Sequence, residues 1–352
     1  MFIWPFGKKS GPQLGIDIGA SAIKVVELSK KENRLCLSNY ALAQIKEGAL
    51  FRTDDIKTEE LAKILKNLLR VSGFSSRRAS LSLPLDRTFS IIIEMPFMPD
   101  KELAAAIPYE ARKYVPVPLD EVILDWSVIY ISEKTAPAKP AVKEAPIKQT
   151  ADEGQSLKPQ DATANGVVLE APGATNAPPA KPKTVIMQVL IVAVPKAIIE
   201  RLTNIAKLAG LRLKILEQEA FSLARSLLGN DKNIYLVVDL GYKSTDLTVV
   251  DEGFIRLTHN LEAINKEVVL MEIDRIVNLY QMKYNKKVGQ CLLVGGRSGD
   301  KEMVDFLQGK LKVPLKIGDP FARISYDEKV GPLLQKLGPQ MAVAVGLAMR
   351  ES

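Results

Sequence analysis

The amino-acid sequence predicts an α/β protein made of two related halves. An apolar strand that carries one acid, Asp17, breaks at Gly19 and resumes as a second apolar strand, so residues 14–29 are predicted to form an antiparallel hairpin. Residues 236–250 repeat this plan around Asp239 and Gly241. With 352 residues, the chain is long enough for two domains that each bury a core of their own.

Both hairpin turns have the composition of a phosphate-binding loop. Small residues leave backbone N–H groups accessible to an anion, and a nearby carboxylate can hold Mg²⁺ through water molecules. A single hairpin would more simply be an ordinary turn with an acid, but this hairpin is repeated in the second half of the chain. The candidate phosphate-binding residues are Gly19, Ala20, Ser21, Lys24, Gly241, Ser244 and Thr245, and the candidates for ordering Mg²⁺-bound water are Asp17 and Asp239. Lys24 either reaches a phosphate or lies on the exposed side of its strand.

A third motif follows the second hairpin. Residues 291–299 form a buried-type strand that ends in Gly295 and Gly296, before a predicted helix. Two Asp-x-Gly hairpins followed by a strand and a Gly-Gly turn resemble the actin-like ATPase superfamily. The resemblance implies a bilobed, duplicated actin-like (ribonuclease H-like) fold that binds ATP and Mg²⁺. The two hairpins would hold the phosphates from opposite sides, and Gly295, Gly296 and Ser298 would approach the nucleoside.

The stretch from residue 89 to residue 130 is the most individual part of the chain. A strand, an acidic amphipathic helix beginning at Asp100 and a proline-rich turn resemble the PilM family of type IV pilus assembly proteins. The matching residues of the turn and the next strand are Tyr114, Pro116, Pro118, Asp120, Glu121, Val122, Asp125 and Trp126. The resemblance extends over nearly the whole chain outside a linker. Pro108 departs from the family pattern and predicts a kink or a restart in the helix.

The resemblance to PilM implies a cytoplasmic scaffold at the inner membrane. PilM relatives bind the short cytoplasmic N-terminus of the bitopic membrane protein PilN in a groove between subdomains 1A and 1C, and thereby join the other proteins of the pilus platform. An extended peptide beside strands gains affinity from backbone pairing and selectivity from side-chain pockets. The candidate groove residues are Tyr114, Pro116, Pro118 and Asp120, for which a rigid structural turn is the alternative interpretation.

The resemblance also implies a division of the chain into subdomains. Residues 135–183 are rich in Ala, Pro, Lys and Glu without periodicity, a composition typical of a disordered loop. The predicted division is subdomain 1A from residues 1–86, 212–228 and 331–352, subdomain 1C from residues 87–211 with the loop 135–183, and domain 2 from residues 229–330.

Domain 2 is predicted to be reduced between about residues 258 and 290. PilM relatives usually carry a larger subdomain here, which covers one side of the adenine and ribose, whereas this chain has room for one helix. We therefore expect weakened or absent ATP binding and at most a weak ATPase. In related enzymes an acid at the start of the helix connecting the halves positions the attacking water. Glu217 is the best match, although glutamates are common at helix N-termini because of the helix dipole.

Two other functions of the same superfamily remain open from the sequence. A small-molecule kinase would need a substrate-binding acid in the cleft, and the sequence identifies none. A division-type actin homologue that polymerises on membranes would usually carry an amphipathic membrane helix, and the segment ending in Arg350 does not have that pattern.

Composition excludes several further classes of function. The 48 basic and 41 acidic residues give a net charge of +7 without a dense basic tract, so nucleic-acid binding has little support. A single histidine, His259, argues against a histidine triad or a multi-histidine metal site. Cys36 and Cys291 lie far apart without metal-binding spacing, which favours a reducing compartment. No stretch approaches the roughly 20 apolar residues of a membrane span. The resemblance to PilM implies association with the membrane through a partner.

Overall fold

A computed structural model describes residues 11–45, 57–135, 183–262 and 265–350. The predicted loop 135–183 therefore lies outside the described residues, except for its two end residues, which belong to strands. In the described part of the chain, no helix combines the length and the apolar character needed to cross a bilayer.

The first half is built on a mixed five-stranded sheet. Its strands are β1 (Gln13–Ile18), β2 (Ala22–Lys31), β3 (Arg34–Gln44), β4 (Arg78–Leu83) and β8 (Arg212–Gln218). The spatial order is β3-β2-β1-β4-β8. β2 is antiparallel to both β1 and β3, whereas β4 runs parallel to β1 and β8 runs parallel to β4.

The second half repeats the topology of the first. Its strands are β9 (Tyr235–Leu240), β10 (Thr245–Asp251), β11 (Phe254–Leu261), β12 (Gln290–Val294) and β13 (Leu315–Ile317). They lie in the order β11-β10-β9-β12-β13 with the same pattern of strand directions. The predicted duplication is thus confirmed, and both predicted hairpins occupy the equivalent place in their sheets.

A third, antiparallel sheet is inserted in the first half. It consists of β5 (Phe89–Pro96), β7 (Lys183–Pro195) and β6 (Val122–Thr135), in that spatial order. Helix α2 (Asp100–Ala111) covers one face and buries Leu103 and Ile107. The helix continues through Pro108, so the predicted restart does not occur. Pro108 has no N–H to donate to Ala104 O, so the helix loses one backbone hydrogen bond there without ending.

Two helices lie between the five-stranded sheets, α4 (Glu219–Leu227) and α7 (Gly331–Met349). Helix α7 packs on the first sheet through Met341 and Val345, and on the second sheet together with α4 through Val343 and Leu347. Glycines permit this close packing, because a Cβ at Gly15 would overlap the carbonyl oxygen of Ala344. The two halves are therefore joined along α7.

The remaining helices cover the opposite faces of the sheets. They are α1 (Thr58–Val71) and α3 (Lys196–Leu208) on the first sheet, and α5 (Lys266–Tyr284) and α6 (Lys301–Lys310) on the second. In the described residues, α5 is the single helix between β11 and β12, as predicted. It begins at Lys266 because β11 extends to Leu261 and the side chain of Asn265 caps the first turn.

Candidate functional site

The first hairpin carries a paired acid and base. Asp17 and Lys24 are direct cross-strand neighbours on β1 and β2, and Lys24 Nζ donates to Asp17 Oδ2 at 2.7 Å. Ser82 Oγ on β4 donates to the other oxygen at 3.1 Å. Burial lowers the pKa of Lys24, but the ion pair with Asp17 outweighs it, so the pKa of Lys24 is raised overall. Lys24 is therefore a fixed positive charge, and its side chain is only 15% exposed.

The second hairpin places two acids together. Asp239 on β9 faces Asp246 on β10, and Asn260 Nδ2 donates to Asp246 Oδ1 at 2.7 Å. Burial raises the pKa of Asp239 to about 6, with Lys24 opposing the shift and Asp17 adding to it. Burial and then the charge of Asp239 raise the pKa of Asp246 to about 7. The second hairpin therefore holds protons near neutral pH.

The two hairpins lie close to each other, because the charges of Lys24 and Asp17 act on Asp239; the region between the hairpins is called the cleft below. Glu219, the first residue of α4, joins this group. Burial and then the charges of Asp17 and Asp246 raise the pKa of Glu219 well above its usual range. Among the residues that the structure describes, no three carboxylate, histidine or cysteine side chains are placed to bind a metal directly.

Glu219 occupies the position that the sequence assigned to Glu217. The predicted helix start at Glu217 is wrong, because Glu217 and Gln218 pair with Ser82 and Leu83 and extend β8. Both oxygens of the buried Glu217 carboxylate accept from Arg225 at 2.7 Å, and Arg350 also donates to it. Glu217 therefore ties β8 to α4 and α7. Its predicted catalytic role has no support from this geometry.

The turn glycines close the hairpins. Gly19 N–H donates to Ala22 O at 3.0 Å, and Gly241 N–H donates to Asp239 O at 3.2 Å. These two N–H groups are thus engaged within their turns. Three other predicted phosphate-binding residues of the turns are partly exposed, namely Ala20, Ser21 and Ser244. Thr245 is buried at the start of β10.

The Gly-Gly turn packs against the second hairpin. Gly295 has a φ of +97°, and a Cβ there would overlap Asp239 Oδ1 and come within 2.5 Å of Leu240 O. Its N–H donates to Pro339 O on α7 at 3.0 Å. Ser298 is buried and its hydroxyl closes the turn on Gly295 O at 2.8 Å, whereas Gly296 is exposed. The backbone at Gly295 therefore packs directly against the carboxylate of Asp239.

The proline-rich turn packs on the third sheet and leads into β6. Val115 is buried in the core of that sheet, and Leu119 packs against it. The predicted groove residues Tyr114, Pro116, Pro118 and Asp120 are all exposed. Glu121 O accepts from Lys196 N at 2.9 Å, which fixes the end of the turn to the start of α3. The turn is an anchored loop with exposed apolar side chains.

A family model described as type IV pilus assembly protein PilM matches residues 15–157 and 258–352. The chain belongs to this PilM family. The matched segments include the first hairpin, the proline-rich turn, the Gly-Gly turn and α7, whereas the second hairpin lies between them.

One solved structure has the same fold, and others are more distantly similar. The chain is similar to a structure described as the PilM-PilN type IV pilus biogenesis complex, with 21% identity and a TM-score of 0.72, over 96% of this chain and 98% of that chain. The ethanolamine utilization protein EutJ from Carboxydothermus hydrogenoformans matches at 13% identity and a TM-score of 0.48, over 97% and 90% of the two chains. The cytoplasmic domain of EpsL of the Vibrio cholerae type II secretion system matches at 10% identity and 0.46, over 97% and 94%. The predicted actin-like fold is confirmed, and neither the kinase nor the division-type alternative is favoured.

Proposed function

We propose that this PilM-family protein is a peptide-binding adaptor of type IV pilus assembly. In this proposal it holds the cytoplasmic N-terminus of a PilN-like membrane protein and thereby sits at the inner membrane, next to other platform proteins. Two observations support this proposal. The chain belongs to the PilM family, and it matches a chain of the PilM-PilN complex over nearly the full length of each of the two matched chains.

The proline-rich turn and the adjoining edge strand are the proposed docking surface. β6 follows the turn directly and is an edge strand of the third sheet, so its outer backbone groups suit pairing with an extended peptide. Tyr114 is 42% exposed on an anchored loop, which lowers the entropy cost of using it as an apolar contact. We place this surface in a groove between the proposed subdomains 1A and 1C.

The affinity of the chain for the N-terminal peptide of a PilN-like protein tests the adaptor proposal. A fluorescent peptide with the sequence of the PilN-like protein's cytoplasmic N-terminus is titrated with the full chain, and the anisotropy gives Kd. We expect Tyr114→Ala and Asp120→Lys each to weaken binding about 10-fold or more, as loss of an interface anchor does. Tyr109→Ala is the matched control, because Tyr109 is 71% exposed on α2, outside the turn. Equal affinities for all four proteins would reject this surface, and no binding by the unmutated chain would reject the adaptor.

We further propose that the cleft binds ATP with Mg²⁺ weakly, as a ligand that affects conformation. Lys24 can meet a phosphate, and the hairpin turns present small, partly exposed residues. The cleft acids suit Mg²⁺ held through water, and without the ion they would repel a triphosphate. The single helix α5 leaves one side of the cleft without the cover that relatives have. Because the nucleotide would be left uncovered on that side, we expect weak turnover at most.

Calorimetry with ATP, with and without Mg²⁺, tests the cleft separately from the peptide. We expect binding only with Mg²⁺, and loss of binding in Asp17→Ala. Asp305→Ala, at an exposed position on α6, should bind as the unmutated chain does. If the unmutated chain does not bind ATP with Mg²⁺, the nucleotide proposal fails while the adaptor proposal stands.

A further inference from the structure

Helix α5 has an exposed apolar stripe along its outer face. The inner face packs on the second sheet and buries Val269, Ile273, Ile276 and Tyr280. The outer stripe consists of Val268, Met271, Leu279 and Met282, and its exposure reaches 59% at Met271 and 85% at Met282. Isolated exposed apolar side chains need no explanation, but four in one row on one helix indicate an interaction surface.

The spacing of the stripe is symmetric about Arg275. Positions 268, 271, 275, 279 and 282 are separated by three, four, four and three residues, so the stripe is unchanged when the helix is turned end for end. An isologous two-fold contact requires this kind of self-complementary surface. We propose that α5 pairs antiparallel with α5 of a second copy of this chain. Val268 then lies opposite Met282 of the second copy, Met271 lies opposite its Leu279, and the two copies of Arg275 meet at the two-fold axis.

The charges beside the stripe favour the antiparallel direction. Arg275 Nε donates to Glu272 Oε2 at 2.6 Å, and its Nη2 lies 3.0 Å from His259 Nε2. In the antiparallel pair each Arg275 lies between its own Glu272 and that of the second copy. Glu272 and Lys283 border the stripe on the same side, toward opposite ends of α5. Turning one helix therefore brings Lys283 to the same side of the pair as Glu272 of the second copy, five positions away along the helix axis, so the charges that flank the stripe there are opposite in sign.

The size of the stripe predicts a weak dimer. The stripe runs over 15 residues, or roughly 21 Å from the first to the last at about 1.5 Å per residue. A single pair of such helices buries less than the roughly 1,600 Å² of a standard interface. Because the buried face fixes α5 on its sheet, pairing needs no folding. We therefore expect a concentration-dependent dimer that forms without peptide or nucleotide.

Sedimentation equilibrium on the full chain tests the pairing. We expect the mean mass to rise from one chain toward two between micromolar and submillimolar concentrations. Met282→Glu and Leu279→Glu should each weaken the dimer at least 10-fold. Leu208→Glu should leave it unchanged, because Leu208 is 48% exposed on α3, on the other half of the molecule. A monomer at every concentration, or a dimer that Met282→Glu leaves intact, would overturn the proposal.

Disulfide trapping tests the direction of the helices in a Cys36→Ser background. Cys291 does not interfere, because it is buried and burial raises the pKa of its thiol to about 12. We expect Arg275→Cys to cross-link with itself, and Met282→Cys to cross-link only when mixed with Val268→Cys. In the antiparallel pair two copies of position 282 are about 21 Å apart, too far for a disulfide. Efficient self-linking of Met282→Cys would show a parallel pair and overturn the proposal.

Discussion

The two phosphate-type hairpins have the same topology and opposite electrostatics. In the first, the cross-strand neighbour of the acid is a lysine, so Asp17 and Lys24 form a neutral pair. In the second, the neighbour at the equivalent position is another acid, so Asp239 faces Asp246. Directly opposed unlike charges stabilise a pair of strands and like charges destabilise it. The duplicated framework therefore keeps its shape while one side of the cleft carries the fixed positive charge and the other carries titratable protons.

The parallel strand beside each hairpin also differs. In the first half, β4 supplies Ser82, whose hydroxyl donates to Asp17. In the second half, β12 ends beside Asp239 at Gly295, where the backbone packs directly on the carboxylate. The first acid is thus held by side-chain hydrogen bonds and the second by close backbone packing. This difference predicts which substitutions each hairpin tolerates.

The largest expected effect is that of Gly295→Ala. The new Cβ would overlap Asp239 Oδ1 and Leu240 O, and the φ of +97° is unfavourable for alanine. We expect the free energy of unfolding in urea to fall by about 4 kcal/mol. Gly296→Ala is the neighbouring control, because a Cβ at Gly296 meets no atom within 4 Å, and it should change stability by less than about 0.5 kcal/mol. Similar losses for both variants would contradict the packing of Gly295 on Asp239.

The next largest effect is on the free energy of unfolding when the cross-strand neighbour of each hairpin's acid is replaced, and it should have opposite signs in the two hairpins. Lys24→Met leaves Asp17, which is 3% exposed, without its counter-ion, and we expect a loss of about 3 kcal/mol in the free energy of unfolding. Asp246→Asn, at the equivalent position of the second hairpin, removes a repulsive charge and should stabilise the protein at pH 8.

A double variant separates loss of the ion pair from a general packing defect. Asp17→Asn combined with Lys24→Met should recover most of the stability lost in Lys24→Met alone, because neither partner is then left charged. Additive losses in the double variant would mean that the lysine stabilises the hairpin through its packing.

Much of this organisation was predictable from the sequence, and the errors have physical causes. The repeated Asp-x-Gly pattern gave both hairpins and the duplication. Glu219 was missed because helix boundaries depend on strand pairing, and β8 pairs for two residues more than its apolar pattern suggests. The position of Asp246 could have been predicted from the spacing, because Lys24 and Asp246 each follow their hairpin's acid by seven residues. The raised pKa values could not be predicted, because they arise first from the burial of these acids in the folded protein and then from charges on other elements.

The smallest expected effect is a dependence of stability on pH between pH 5 and 8. Burial raises the pKa of Asp239 to about 6 and that of Asp246 to about 7, and it also raises the pKa of Glu219. In this range the folded state therefore binds more protons than the unfolded state, and the free energy of unfolding falls as the pH rises. Burial lowers the pKa of His259, so this group makes the free energy of unfolding rise with pH. The three acids together should outweigh this single histidine.

Thermal unfolding without nucleotide measures this dependence. We expect a loss on the order of 1 kcal/mol or more from pH 5 to pH 8, and the melting temperature should fall by a few degrees. Asp246→Asn should flatten the curve, since it removes one titrating group whose pKa is raised on folding. Mg²⁺ favours ionised carboxylates, so ATP with Mg²⁺ should bind more tightly at pH 8 than at pH 6. A stability curve that rises over this range would mean that the second hairpin keeps its charge, as the first does.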